Sequence, residues 1–217
     1  DGDYTLFAFV YDFAQLIETL GYSEVTICGH SLGGNIATRF TGLYPEKVRK
    51  LANIEGLGPA PAAQSRREAR AYSDRLREWI SGKRKASARL PRRYPTIEEA
   101  YARMKAENAY LSDAQAHHLT VHGISRNEDG SFSWKFDNYL NVWPLADFPQ
   151  DVIHKLWNAI TCPVQLFYGS DSISSNPERD GRLAHFQSAG VLEYAKASHW
   201  LHHDQFERFM VDLKAFL

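Results

Sequence analysis

Apolar positions along the chain switch between helical and strand periods. Phe9, Val10, Phe13, Leu16, Ile17 and Leu20 recur at three- and four-residue spacing, and Gly21 closes the run. Residues 24–28 follow as a short β-branched strand. Ile36, Ala37, Phe40, Leu43 and Tyr44 return to helical spacing until Pro45. Residues 48–54 read as a second buried strand. Strand, helix and strand in so short a span predict a parallel crossover unit.

Beyond Leu57-Gly58-Pro59 the pattern changes. Residues 60–156 are richer in charge and mostly helical in period. Ala69, Tyr72, Leu76, Trp79 and Ile80 fit one helix face. Thr96 with Glu99, and Ser112 with Gln115, have the spacing of capping boxes. Asp129-Gly130 ahead of Phe132, Trp134 and Phe136 predicts a hairpin. Strand and helix then alternate again: a strand at 163–169, a helix carrying Leu183 and Phe186, a strand at 191–194, and a helix at 205–217 with Asp204 as its cap. This order predicts an α/β fold. Its mostly parallel sheet, with helices on both faces, comes from residues 1–59 and 157–217, and a mainly helical cap insertion from 60–156.

The joint between the first strand and its helix carries the chemistry. Gly29-His30-Ser31-Leu32-Gly33-Gly34 contains G-x-S-x-G between a strand and a helix, the setting of a nucleophile elbow. A serine hydroxyl needs a base, and the base needs a carboxylate to fix its tautomer. In the order Ser, acid, His, the base is His199, in the loop before the last helix. Asp171, after the strand-end Gly169, leads as the acid, because of its place in that order. Glu55, at the end of the second strand, is the alternative, and Asp180 a distant third. The amide of Leu32 supplies one oxyanion donor, and the second is expected from a loop much earlier in the chain. His30 is expected to pack behind the nucleophile. His202 and His203 flank the last helix, and no acidic or cysteine ligand set accompanies them, so no metal or other cofactor is expected. Trp79, Trp134, Trp143 and Phe148 suit either the core of the insertion or a pocket lining.

Composition narrows the class. The 217 residues are 44% hydrophobic and 13% aromatic, which predicts a packed core. A formal net charge of −1 provides no overall field toward nucleic acid or a membrane. The basic run from Arg66 to Arg93 reads as a solvated helix face. Cys28 and Cys162 lie in or beside apolar runs and are expected to be buried free thiols. No apolar run is long enough to span a bilayer and no signal-peptide pattern is present, so the default setting is cytoplasmic.

Together these motifs resemble the α/β-hydrolase superfamily in its capped, lipase- and esterase-like branch. Gly29–Gly34 looks like the elbow, and 44–48 like the segment that follows its helix. Residues 54–59 resemble the cap entry of serine hydrolase-like proteins, 168–177 their acid loop, and 198–203 their histidine loop. The resemblance implies a serine hydrolase acting on a small-molecule ester or related acyl compound, with lactonase or perhydrolase chemistry as variants on the same residues. Two departures matter. The position where the wider superfamily often carries its acid is Ser172, which keeps Glu55 in contention. Only a helix and one strand precede Ser31, so a missing N-terminal segment or a partner chain is expected beside the strand at 25–28. A catalytically incomplete hydrolase-like module is the competing reading.

Overall fold

The computed structural model describes residues 4–142, 144–145 and 147–217. Trp143 lies outside the described residues. In chain order the elements are α1 (Leu6–Thr19), β1 (Val25–His30), α2 (Leu32–Leu43), β2 (Val48–Ile54), α3 (Pro61–Glu68), α4 (Tyr72–Ala88), α5 (Ile97–Glu107) and α6 (Asp113–Gly123). They continue as β3 (Ile124–Arg126), β4 (Phe132–Trp134), α7 (Gln150–Asn158), β5 (Val164–Gly169), β6 (Ala189–Tyr194), α8 (Leu201–Asp204) and α9 (Phe206–Phe216).

Four strands form one parallel sheet in the order β1-β2-β5-β6. Both faces are covered, and the period of two decides which residue goes where. Leu51, Val164, Leu166 and Tyr168 point into one apolar cluster, with Ile17, Phe40, Ile153 and Trp157. Ala52, Ile54 and Phe167, their neighbours along the strands, join a second cluster with Tyr194, Leu201 and Phe209. α2 is sunk into this framework, with Gly34, Ala37, Thr38, Phe40, Thr41 and Gly42 all buried. Its one buried cation, Arg39, meets Asp147 at 2.5 Å.

The descent of α2 onto the sheet requires glycine on both sides. A Cβ on Gly56 would lie 2.4 Å from the Gly34 Cα and 2.6 Å from its carbonyl carbon. Backbone atoms there have no rotamer through which to escape. Gly56→Ala should therefore cost about 1–3 kcal/mol of stability, as overpacked interiors do. A lower urea midpoint at unchanged slope is the expected signature.

The described residues divide into two compact units, 72–145 in one and 4–71 with 146–217 in the other. The expected boundaries at 60 and 156 are thus too wide. Ile153 and Trp157 of α7 fill the sheet's own core, and Phe148 packs against the same cluster. The smaller unit has its own apolar cluster of Tyr94, Ala100 and Ile124, against which Trp134 packs. Its hairpin pairs Ile124 with Trp134 and Arg126 with Phe132, and Gly130 turns at φ 86°. Ser112 and Gln115 form a true capping box, whereas at α5 the Thr96 side chain accepts the Glu99 N–H.

Other expectations yield to local hydrogen bonding. The helix face drawn through Ala69 and Tyr72 is broken, because α3 ends at Glu68 and α4 begins at Tyr72. The helix expected around Leu183 shrinks to a single 3-10 turn, Arg182–His185. Asp204 does not cap α9: its carboxylate accepts from the Ser198 N–H and hydroxyl, and Gln205 takes the cap position. Cys28 is exposed rather than buried, because it alternates with the inward Ile27 on an edge strand. No helix among the described residues is long and apolar enough to cross a membrane.

Candidate active site

Three loops at the carboxyl ends of parallel strands converge on one place. At the end of β1, Ser31 is held at φ 52° and ψ −116°, a backbone state that side-chain-bearing residues rarely take. Its N–H donates to the Ile54 carbonyl at 2.8 Å, and its own carbonyl accepts the Asn35 N–H at 3.0 Å as α2 begins. A Cβ on Gly29 would stand 2.7 Å from the Gly33 carbonyl oxygen, so only glycine lets the turn close. The elbow expected from the sequence is therefore present, with its serine raised on a strained turn.

His199 Nε2 lies 2.9 Å from Ser31 Oγ, and His199 Nδ1 lies 2.5 Å from Glu55 Oε2. Glu55 follows β2 at φ 51°, and its side chain is wholly enclosed. Ionised carboxylate oxygens only accept, so Nδ1 carries the ring proton and Nε2 offers a bare lone pair to the serine hydroxyl. Ser31, His199 and Glu55 thus form one continuous hydrogen-bonded relay.

The acid favoured by chain order is displaced. Asp171 is exposed, its N–H donates to the Ala197 carbonyl at 3.0 Å, and its carboxylate accepts the Ser170 hydroxyl at 2.8 Å. The chain turns at once after β5, with the Ser172 N–H returning to the Gly169 carbonyl at 3.3 Å, and this carries Asp171 outward. Asp180 is engaged by Arg182 through its Nε at 3.0 Å and by the Ser175 hydroxyl. Glu55, the alternative, is the carboxylate at His199.

Leu32 opens α2, in the first turn, whose N–H groups have no intrahelical acceptor. Other contacts are not legible in the sequence. His30 packs beside His199, and its Nε2 also donates to the His199 carbonyl at 2.8 Å, pinning the histidine loop to the elbow. The Gly169 N–H and the Ser172 hydroxyl both donate to Glu55. The one available signal is a serine standing where the wider superfamily often carries its acid.

Several imidazoles gather here. Among the described residues no group of three or more His, Cys, Asp or Glu is placed to hold a metal ion. Burial holds the proton affinity of His30 below the ordinary histidine range. That of His202 falls to about 3, first through burial and then through the neighbouring His30, His203 and His199 rings. Above the usual value of 6.5, folded and unfolded chains both keep His202 neutral. Between there and about 3 the unfolded chain takes up a proton that the folded one refuses, so stability falls with pH. The urea midpoint should drop between pH 7.5 and 5, and His202→Gln should lessen that slope.

A parallel α/β sheet with a serine elbow, a histidine and a buried carboxylate at its strand ends defines the class, a hydrolase-fold protein. The chain has the α/β-hydrolase fold. The family model described as alpha/beta hydrolase fold matches residues 1–97. A "serine hydrolase-like protein" of Danio rerio is 30% identical over 178 residues, which cover 80% of this chain and 52% of that protein. A solved structure of a hypothetical protein from Pseudomonas aeruginosa is 21% identical with a TM-score of 0.77, covering 99% of this chain and 76% of the other. An esterase from Mycobacterium tuberculosis is 18% identical with a TM-score of 0.72, covering 99% and 68% respectively. The chain spans about half the length of the curated relatives it matches.

Proposed function

We propose that this chain carries the nucleophile, base and acid of a serine hydrolase that cleaves a carboxylic ester or related acyl compound. What supports the reading is the unbroken relay from Ser31 Oγ through the His199 ring to Glu55, with spans of 2.9 and 2.5 Å. Ser31 Oγ attacks the carbonyl carbon while His199 Nε2 takes its proton. Glu55 stabilises the imidazolium that forms, and the Leu32 amide receives the developing oxyanion. The imidazolium returns the proton to the departing alkoxide, leaving an acyl group on Ser31. Water, deprotonated by the same Nε2, then attacks the acyl carbon; the bond to Ser31 Oγ breaks, the acid leaves, and the imidazolium returns its proton to Ser31 Oγ.

The names of the solved relatives fit acyl chemistry, since they include an esterase and a thioesterase domain. A second reading, an incomplete hydrolase-like module, is favoured by one observation. Within the described sheet β1 pairs with β2 alone and leaves its other edge open. A strand from another segment or a partner chain would close that edge and could bring the second oxyanion donor. Covalent trapping separates the two readings. A fluorophosphonate probe should add to Ser31, identified by peptide mass spectrometry, and no adduct on folded protein would favour the incomplete module.

A further inference from the structure

The carboxylate that meets His199 is held on both of its oxygens. The Gly169 N–H donates to Oε1 at 2.7 Å, and the Ser172 hydroxyl donates to Oε2 at 2.5 Å. The direction of the Ser172 proton follows from its other neighbour. The Ser174 N–H can only donate, and it donates to Ser172 Oγ at 3.1 Å. The hydroxyl's single proton is therefore left for Glu55.

The second anchor matters because the terminal torsion of a glutamate is broad and roughly two-fold. Tethered through Oε1 alone, the carboxylate could swing Oε2 out of line with the imidazole. Oε2 is the oxygen that His199 Nδ1 meets, and it is the one Ser172 holds. The loop carrying Ser172 is braced in turn. Buried Arg182 donates to the Ser175 carbonyl at 2.8 Å, and to the carbonyl of Gly58, three residues past Glu55, at 3.1 Å. That guanidinium fixes the distance between the two loops whose side chains meet.

We infer that Ser172 is a positioning residue: its hydroxyl sets the plane of the Glu55 carboxylate, and through it the orientation of the His199 ring toward Ser31. The inference rests on the hydrolase reading above, and it assigns work to a position where the wider superfamily often carries an acid. Ser172 does not touch the reacting atoms.

Ser172→Ala should lower kcat for p-nitrophenyl butyrate about ten- to a hundredfold, the effect of one lost hydrogen bond to a charged group. KM should stay within about twofold, because uniform binding is untouched. Ser172→Thr keeps the hydroxyl and should hold kcat within about threefold of wild type, a spread small on the barrier scale. In a Glu55→Gln background, Ser172→Ala should add no further loss, since the coupled partner is already gone. A readout independent of turnover is the downfield proton NMR resonance of His199 Nδ1–H, recorded in Ser31→Ala protein. It should broaden or vanish when Ser172→Ala is added and persist with Ser172→Thr. An unchanged kcat, an equal loss in both backgrounds, or an unchanged resonance overturns the inference. Absence of ester turnover in the wild type would sink the hydrolase reading alone, and the resonance would then decide the role of Ser172.

Discussion

Ser31→Ala should reduce p-nitrophenyl ester turnover by on the order of 10⁴-fold or more. Ser31 places its hydroxyl oxygen 2.9 Å from His199 Nε2 at the apex of the elbow. Its strained backbone is imposed by the surrounding hydrogen bonds to Ile54 and Asn35. Alanine accepts both of those backbone bonds, so the fold should survive and the urea midpoint should stay close to wild type. Turnover close to the wild-type rate in folded Ser31→Ala would exclude the acyl-enzyme mechanism.

Much of the framework behind that prediction is legible in the sequence. The elbow can be read because glycine, strand and helix signals are local. Each follows from a residue's own steric limits and a periodicity a few residues long. His199 can be read for a related reason, since chain order fixes which loop arrives above the serine. The choice between Asp171 and Glu55 is not local. Both follow strand ends. What separates them is the tight turn after Gly169, which tips Asp171 toward solvent, and the left-handed backbone at Glu55, which sits beneath His199. Neither the turn nor the backbone state is written in composition or spacing.

The unit boundary is hidden for a similar reason. α3 and α7 are as polar in sequence as the insertion they border. Yet Ile153 and Trp157 give α7 a narrow apolar stripe that ends in the sheet's core. Two buried side chains outweigh the average character of the segment, because burial of large apolar groups dominates the energy of a short helix. Asp204 shows the same competition at smaller scale. Its spacing suits a cap, but the Ser198 N–H and hydroxyl take its carboxylate first.

The acid assignment leads to the second large effect. Glu55→Gln should lower kcat by about 10³- to 10⁴-fold, whereas Asp171→Asn should leave it within about twofold. The size follows from which way the new amide must face. The Gly169 N–H can only donate, and in the wild type it donates to Oε1 at 2.7 Å. A glutamine at 55 must therefore turn its carbonyl oxygen toward Gly169, which leaves its NH₂ facing Ser172 and His199. That NH₂ donates to Nδ1 and drives the imidazole proton to Nε2. The ring then presents an N–H to Ser31, and no lone pair remains to accept the serine proton. The substitution inverts the tautomer without emptying the site, so stability should change far less than rate. Fluorophosphonate labelling of Ser31, which needs the same base, should slow in parallel with kcat in Glu55→Gln and keep its wild-type rate in Asp171→Asn. The opposite pattern, with Asp171→Asn as the damaging change, would mean that the working enzyme draws its acid from the β5 loop and that the His199–Glu55 contact at 2.5 Å is not the one used in turnover.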